Sequence, residues 1–193
     1  MFIRGYVFCN ILPLIDFLLP LHQKFKQTIM STSVYLLLGS NKGNREEYLK
    51  KAIDNLKDLG VRVKRISKIY QAESWGYADA DYLNLVAEAD VTCNPSVLLE
   101  MCHVVEAELG RVRSGKGYSS RTIDIDILYY GNDLVDKPNL IIPHRLLQNR
   151  KFVLMPLCDL IPDFVHPVLH KTNTELLNEC TDQCRVDVFA DNF

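Results

Sequence analysis

The sequence predicts an α+β fold, and three observations carry that prediction. Its composition is that of one ordinary globular domain, its apolar residues switch between a period of two and a period near 3.6, and Gly, Asn and Pro stand at the switches. With 193 residues, 48% hydrophobic and 24% charged, the chain has enough apolar surface for a single core and lacks the polar makeup of a disordered segment. A formal net charge of −2 excludes a nucleic-acid binder that works by broad phosphate neutralisation, while leaving room for a local basic cluster. The six cysteines, Cys9, Cys93, Cys102, Cys158, Cys180 and Cys184, are dispersed instead of forming a disulfide framework, which favours a reducing, cytoplasmic setting.

Residues 1–30 read differently from the rest. Their apolar run (Ile11, Leu12, Leu14, Ile15, Phe17, Leu18, Leu19) is broken by Pro13, Asp16 and Pro20, and it is too short to span a bilayer. We expect an extension that is not part of the fold, with Met30 the natural start, no membrane partner, a domain over 31–180 and a short tail over 181–193. Residues 34–38 form a buried apolar strand, ended by the turn Gly39-Ser40-Asn41-Lys42-Gly43-Asn44. Leu49, Ile53, Leu56 and Leu59 then recur at helical spacing, and Gly60 marks the stop. Residues 61–70 and 82–91 are β-branched and aromatic and read as strands. Asn94-Pro95 supplies an N-cap and first-turn proline for a helix to Leu109, and residues 122–130 read as another strand. The order βαββαβ is that of a ferredoxin-like core, with helices on one face of a mostly antiparallel sheet. A C-terminal hairpin around Pro138 and a helix over 150–160 are additions to the same domain.

The strand Arg121-Thr122-Ile123-Asp124-Ile125-Asp126-Ile127 carries the chemistry. Residues two apart share a face, so Ile123, Ile125, Ile127 and Tyr129 turn to the core while Asp124 and Asp126 project together from the other side, Cα atoms roughly 7 Å apart. Two carboxylates that leave coordination positions open suit Mg²⁺ holding phosphates. The segment before them holds Arg111, Arg113, Lys116 and Arg121 among small residues, a basic loop that can neutralise phosphoryl charge. The Gly39–Asn44 stretch lacks the Gly-x-x-x-x-Gly-Lys-Ser/Thr spacing and serves as a tight turn. The pairs His166/His170 and Cys180/Cys184 raise zinc, but Pro167 argues against a shared helix face.

Together these motifs resemble 6-hydroxymethyl-7,8-dihydropterin pyrophosphokinase. The resemblance runs from about Val34 to Cys180 and rests on Leu38-Gly39-Ser40-Asn41-Lys42-Gly43-Asn44, Asp81-Tyr82-Leu83-Asn84, the stretch from Glu106 to Arg113, the Arg121-Thr122-Ile123-Asp124-Ile125-Asp126 string and Ile142-Pro143-His144. It implies transfer of pyrophosphate from ATP to the pterin hydroxymethyl group, with AMP as the other product. Asp124 and Asp126 would hold two Mg²⁺ ions, with Arg111 and Arg121 acting on the phosphates. Glu106, Arg113, His144 and Arg150 would lie at the nucleotide, Asn84 would bond the pterin, and Tyr82 and Phe152 would sandwich its ring. The partners implied are ATP and the pterin, with no nucleic acid. The chain departs from the family at Tyr118-Ser119-Ser120, where Trp-Gly-Pro is common, and at His170, where glycine is common; Trp75-Gly76-Tyr77 need not act as in other members. The alternatives are a ferredoxin-like RNA-binding module, which needs exposed aromatics on its sheet, and a zinc-stabilised interaction domain.

Overall fold

Strand β1 (Thr32–Ser40) is an interior strand of the main sheet, hydrogen-bonded on both sides. The structure, a computed structural model, describes residues 31–74, 80–111 and 120–193. The expected extension over 1–30, Trp75-Gly76-Tyr77, and Arg113, Lys116, Tyr118 and Ser119 of the basic loop lie outside the described residues. After β1 come α1 (Arg45–Asp58), β2 (Arg62–Ile66), β3 (Ile69–Ala72), β4 (Tyr82–Val91), α2 (Pro95–Glu108) and β5 (Asp124–Tyr130). The hairpin β6 (Val135–Lys137) and β7 (Leu140–Ile142) follows, then a 3-10 turn, α3 (Lys151–Leu160), α4 (Asn173–Glu179) and β8 (Val186–Ala190). The main sheet has the order β5-β1-β4-β3-β8, with β2 also on β4, and every pairing is antiparallel. This is the α+β, ferredoxin-like arrangement with the hairpin and helix added.

Both helices of the first half start on asparagine. Asn44 caps α1 and Asn94 caps α2, with Pro95 in the first turn where its missing N–H costs nothing. Leu49, Ala52, Ile53 and Leu56 of α1 and Leu98, Cys102 and Val105 of α2 bury against Val34, Leu36 and Leu38 of β1 and Ile125 and Ile127 of β5.

The structure corrects four expectations. The strand over 61–70 is two strands, because Ser67 interrupts the ladder. Its amide donates to Val86 O at 2.8 Å and its hydroxyl accepts the Val86 amide at 2.9 Å, replacing a backbone partner. Helices cover both faces of the sheet: α3 and α4 bury Val153, Leu154, Leu157 and Leu176 against Tyr35, Leu37, Val86, Leu128 and Tyr129. That cover leaves Tyr35 of the interior strand β1 buried, not exposed as an RNA-binding module would need on its central strands. Tyr129 belongs to this second face. A register shift between Tyr35 and Leu36 inserts Leu128 into the β1–β5 ladder and inverts the alternation beyond it. Finally, residues 181–193, expected as a tail, carry β8 paired to β3.

His170 has φ 55°, the left-handed region that glycine reaches without strain, which accounts for the residue usual there. His166 is buried at 4% exposure, its Nδ1 accepts the amides of Val168 and Leu169, and its ring stands edge-on to Tyr129, the bonding of a turn-closing side chain. Among the described residues no three His, Cys, Asp or Glu side chains converge as metal ligands, and no helix is long and apolar enough to cross a membrane.

Tyr129 and Asn173 are both fully buried, and Tyr129 Oη donates to Asn173 Oδ1 at 2.8 Å. Asn173 Nδ2 donates to Ile161 O at 2.8 Å, locking α4 under α3. Asn173→Ala strands the tyrosine hydroxyl and the Ile161 carbonyl together, so we expect a loss of about 2–3 kcal/mol in urea denaturation. A change within experimental error would show that water reaches both groups.

Candidate active site

The register of three strands assembles the site. Gly39 lies opposite Asn84 of β4 on one side and Asp124 of β5 on the other, and Leu37 lies opposite Asp126. Positions two apart share a face, so Leu37, Gly39, Tyr82, Asn84, Asp124 and Asp126 open together into one cleft of about 370 Å³. The end of α2 adds Glu106, the loop ends add Arg111 and Arg121, the segment after β7 adds His144, and the start of α3 adds Arg150 and Phe152. Every nominated residue therefore lines one cleft except Arg113, which is outside the described residues.

Gly39 is required by space. A Cβ there would stand 2.8 Å from Asn84 Oδ1 and 3.6 Å from Tyr82 Cδ1. Asn84 is 3% exposed, and among the described residues its Nδ2 has no hydrogen-bond partner. A buried amide donor of this kind is costly unless a ligand accepts from it. The Arg150 guanidinium lies 5.6 Å from the centre of the Phe152 ring.

The opposite wall is electrostatic. Arg111 Nη1 donates to both Glu106 Oε1 and Asp124 Oδ1, and Arg121 Nη1 donates to Asp124 Oδ2. Glu106 Oε1 also accepts the Ile125 amide at 2.9 Å, which ties α2 to β5. Among the described residues, no guanidinium bond to Asp126 matches those to Asp124. Asp126 is partly exposed to the cleft, and desolvation first, then the Asp124 and Glu106 charges, pushes it up to about 7 against the lowering effect of Arg150 and Arg111. His144 is pushed down to about 4, chiefly by burial and then by Arg150, so its imidazole is neutral in the physiological range. Its backbone amide donates to Leu128 O at 3.0 Å, and its Nδ1 faces the Leu146 amide at 3.4 Å.

Asn41 was missed by sequence reasoning, which read its stretch only as a turn. Its Oδ1 accepts the Arg121 amide at 2.7 Å, its own amide donates to Arg121 O at 3.1 Å, and its Nδ2 donates to Ala80 O at 3.3 Å. It therefore fixes the arginine that opens the acid strand. Leu99 and His103 of α2 and Asn139 of the hairpin turn also line the cleft. Leu99, His103 and Glu106 fall at helical spacing on one face, a pattern indistinguishable in sequence from an ordinary buried helix face.

Guanidiniums beside a carboxylate pair, facing a slot with two aromatic rings and a buried amide donor, define a phosphoryl-transfer enzyme for a flat heterocycle. Residues 35–162 match the family model described as 7,8-dihydro-6-hydroxymethylpterin-pyrophosphokinase (HPPK). The chain belongs to this family, whose reaction is ATP-dependent pyrophosphoryl transfer to hydroxymethyldihydropterin in folate synthesis. It is 37% identical over 150 residues to the 2-amino-4-hydroxy-6-hydroxymethyldihydropteridine pyrophosphokinase of Aquifex aeolicus, covering 77% of this chain and 92% of that protein. It is 41% identical over 136 residues to the protein of the same name from Methylorubrum extorquens, covering 69% of this chain and 85% of the relative. Against the folic acid synthesis protein fol1 of Pneumocystis carinii it is 37% identical over 147 residues, but spans only 20% of that longer protein. A crystal structure of Plasmodium falciparum HPPK-DHPS superposes with TM-score 0.64 at 14% identity, covering 80% of this chain and 46% of that one, a likeness of fold.

Asp126 yields a test of the electrostatics. A carboxyl whose folded-state value is raised binds its proton more tightly when folded, so its stabilising effect is complete below its ordinary value of 3.8 and is lost as pH climbs through about 7. Above that pH the ionised group is a standing penalty. Asp126→Asn should therefore stabilise the metal-free protein at pH 8 by about 1–3 kcal/mol and leave it little changed at pH 4. Melting curves at the two pH values measure this; equal shifts at both would remove the electrostatic cause.

Proposed function

We propose that this chain carries out the family's reaction with the residues gathered in the cleft, moving the β,γ-pyrophosphoryl group of ATP to the hydroxymethyl oxygen of 6-hydroxymethyl-7,8-dihydropterin and releasing AMP. The observation that carries the assignment of roles is the shared wall: Arg111 and Arg121 grip Asp124 beside Asp126, with the buried Asn84 donor on the other side of Gly39. Arg111 and Arg121 exchange Asp124 for phosphate oxygens and neutralise the charge that spreads over the transferring group. Glu106 holds Arg111 in reach from a buried position. Arg150, Arg113 and the neutral His144 serve the nucleotide side; His144 offers hydrogen bonding there without adding charge. Tyr82 and Phe152 take the pterin ring in offset stacking, and Asn84 Nδ2 donates to an acceptor on its edge.

The donor set fits Mg²⁺. Two hard carboxylates open into the cleft, burial and their mutual repulsion raise Asp126, and no third side-chain ligand converges among the described residues, which suits an ion that completes its shell with water and phosphate. Asp124 and Asp126 would hold two such ions, which when bound neutralise and orient the ATP phosphates. Cytoplasmic placement and the small-molecule partners ATP and pterin belong to the same reading.

Purified protein given ATP, Mg²⁺ and the pterin should release AMP; ADP would overturn the assignment. Asp124→Ala and Asp126→Ala should each lower kcat by at least about a thousand-fold while circular dichroism stays unchanged. A folded variant with near-normal rate would sink the metal role. Gly39→Ala should raise the pterin KM about ten-fold or more with a smaller effect on that of ATP, since the new methyl displaces Asn84. Equal effects on both substrates would mean that Asn84 is not the pterin contact.

A further inference from the structure

The two aromatic walls of the cleft stand on different elements, Tyr82 at the start of β4 and Phe152 at the second position of α3. Their separation is set by whatever joins these elements at this end of the sheet. α3 begins at Lys151 with no side-chain cap from Arg150, its own N-cap residue. Pro156 lies four residues after Phe152 and has no N–H for the Phe152 carbonyl, so the first turn lacks a ladder bond as well.

Support comes from the far end of the chain. Asp182 Oδ2 accepts the Lys151 amide at 3.0 Å, and its Oδ1 accepts the Cys184 amide at 3.0 Å. The backbone then reaches the opposite wall: the Glu73 amide donates to Arg185 O at 3.2 Å, and Val186 pairs with Ala72. Ala72 in turn pairs with Tyr82, and both Ala72 and Glu73 line the cleft. Residues 182–186 are therefore a strap from the helix of Phe152 to the strand beside Tyr82.

We propose that Asp182 is a positioning residue for the transfer reaction: by fixing the start of α3 and folding the strap back onto β3, it sets the gap between Phe152 and Tyr82 that receives the flat ring. The proposal rests on the pterin-stacking role of those two aromatics. A carboxylate suits the position because it accepts two amides at once and its charge complements the positive end of the helix. Burial alone would raise its pKa, but the amides of Cys184 and Lys151 outweigh burial and hold it below the usual carboxylate value, so the acceptor form persists through the neutral range. Asp182 lies beyond residues 35–162, the stretch that the family model matches. Its role is legible only in the fold.

The test measures pterin affinity calorimetrically in the presence of Mg²⁺ and a non-hydrolysable ATP analogue, with steady-state kinetics alongside. Asp182→Ala should weaken pterin binding about ten-fold and raise the pterin KM more than it lowers kcat. Asp182→Asn keeps one acceptor oxygen and should fall between this variant and wild type; it decides the matter if the alanine variant does not fold. Thr172→Ala removes the capping box of α4 away from the cleft, so it lowers stability without moving the pterin KM. Unchanged affinity in folded Asp182→Ala, or an equal loss in Thr172→Ala, would overturn the positioning role alone. A wild-type protein that binds no pterin would overturn the stacking role on which it rests.

Discussion

The missing side chain at Gly39 is the constraint on which the cleft depends. β1 has both acid-bearing β5 and amide-bearing β4 as neighbours, and Gly39 is the position where those neighbours are Asp124 and Asn84. Any Cβ there would meet Asn84 Oδ1 well inside van der Waals distance. Residues flanking Gly39 are free to be bulky: Leu36 and Leu38 fill the helix-covered core, and Leu37 forms the floor. A single residue thus separates the packing that holds the sheet from the open cleft.

Covering the sheet on both faces explains where the cleft can be. Tyr82–Val91 is buried at every position but its first, so a strand with no solvent face has functional side chains only where one of the helix layers stops. α3 covers Leu128, Tyr129 and Val86, and beyond its first turn the same face carries Asp126, Asp124 and Asn84. The polar residues emerge at the limit of the apolar cover. Asn41 and Asp182 then brace the two open ends, one at the arginine that enters β5 and one at the helix that begins the cover.

Much of this was legible in sequence, and the exceptions share a cause. β1, β4 and both early helices carry their own punctuation in Gly39, Asn44, Gly60 and Asn94-Pro95, so local rules suffice. The acid pair was legible because Ile123, Ile125 and Ile127 alternate with it. The break at Ser67 was not, since a serine hydroxyl replacing a ladder partner looks in sequence like any strand polar residue. The inversion at Leu128 was hidden for the opposite reason: with both faces apolar, Leu128-Tyr129-Tyr130 fits either alternation. β8 contains Asp187 between two valines and becomes a strand only because β3 offers it an edge. Asn41 and Asp182 act on backbone amides 80 and 31 residues away, distances over which no periodicity speaks.

The acidic wall shows why its two carboxylates are not equivalent. Asp124 is bonded by two guanidiniums, whereas among the described residues none bonds Asp126, which is pushed up by burial and by Asp124 itself. If Arg111 and Arg121 take phosphate as proposed, their bonds to Asp124 must break, and the net gain would be the difference between two charge-assisted sets. With the arginines withdrawn, the two acids would stand side by side, each opposing the other's ionisation in a buried cleft. Under the proposed roles the carboxylates would need a new cation when the arginines turned to the phosphates, and a nucleotide arriving with its own divalent ions would meet both demands. Under the same proposed roles, nucleotide without metal would meet only one of these demands, so the paired acids would themselves favour the metal complex.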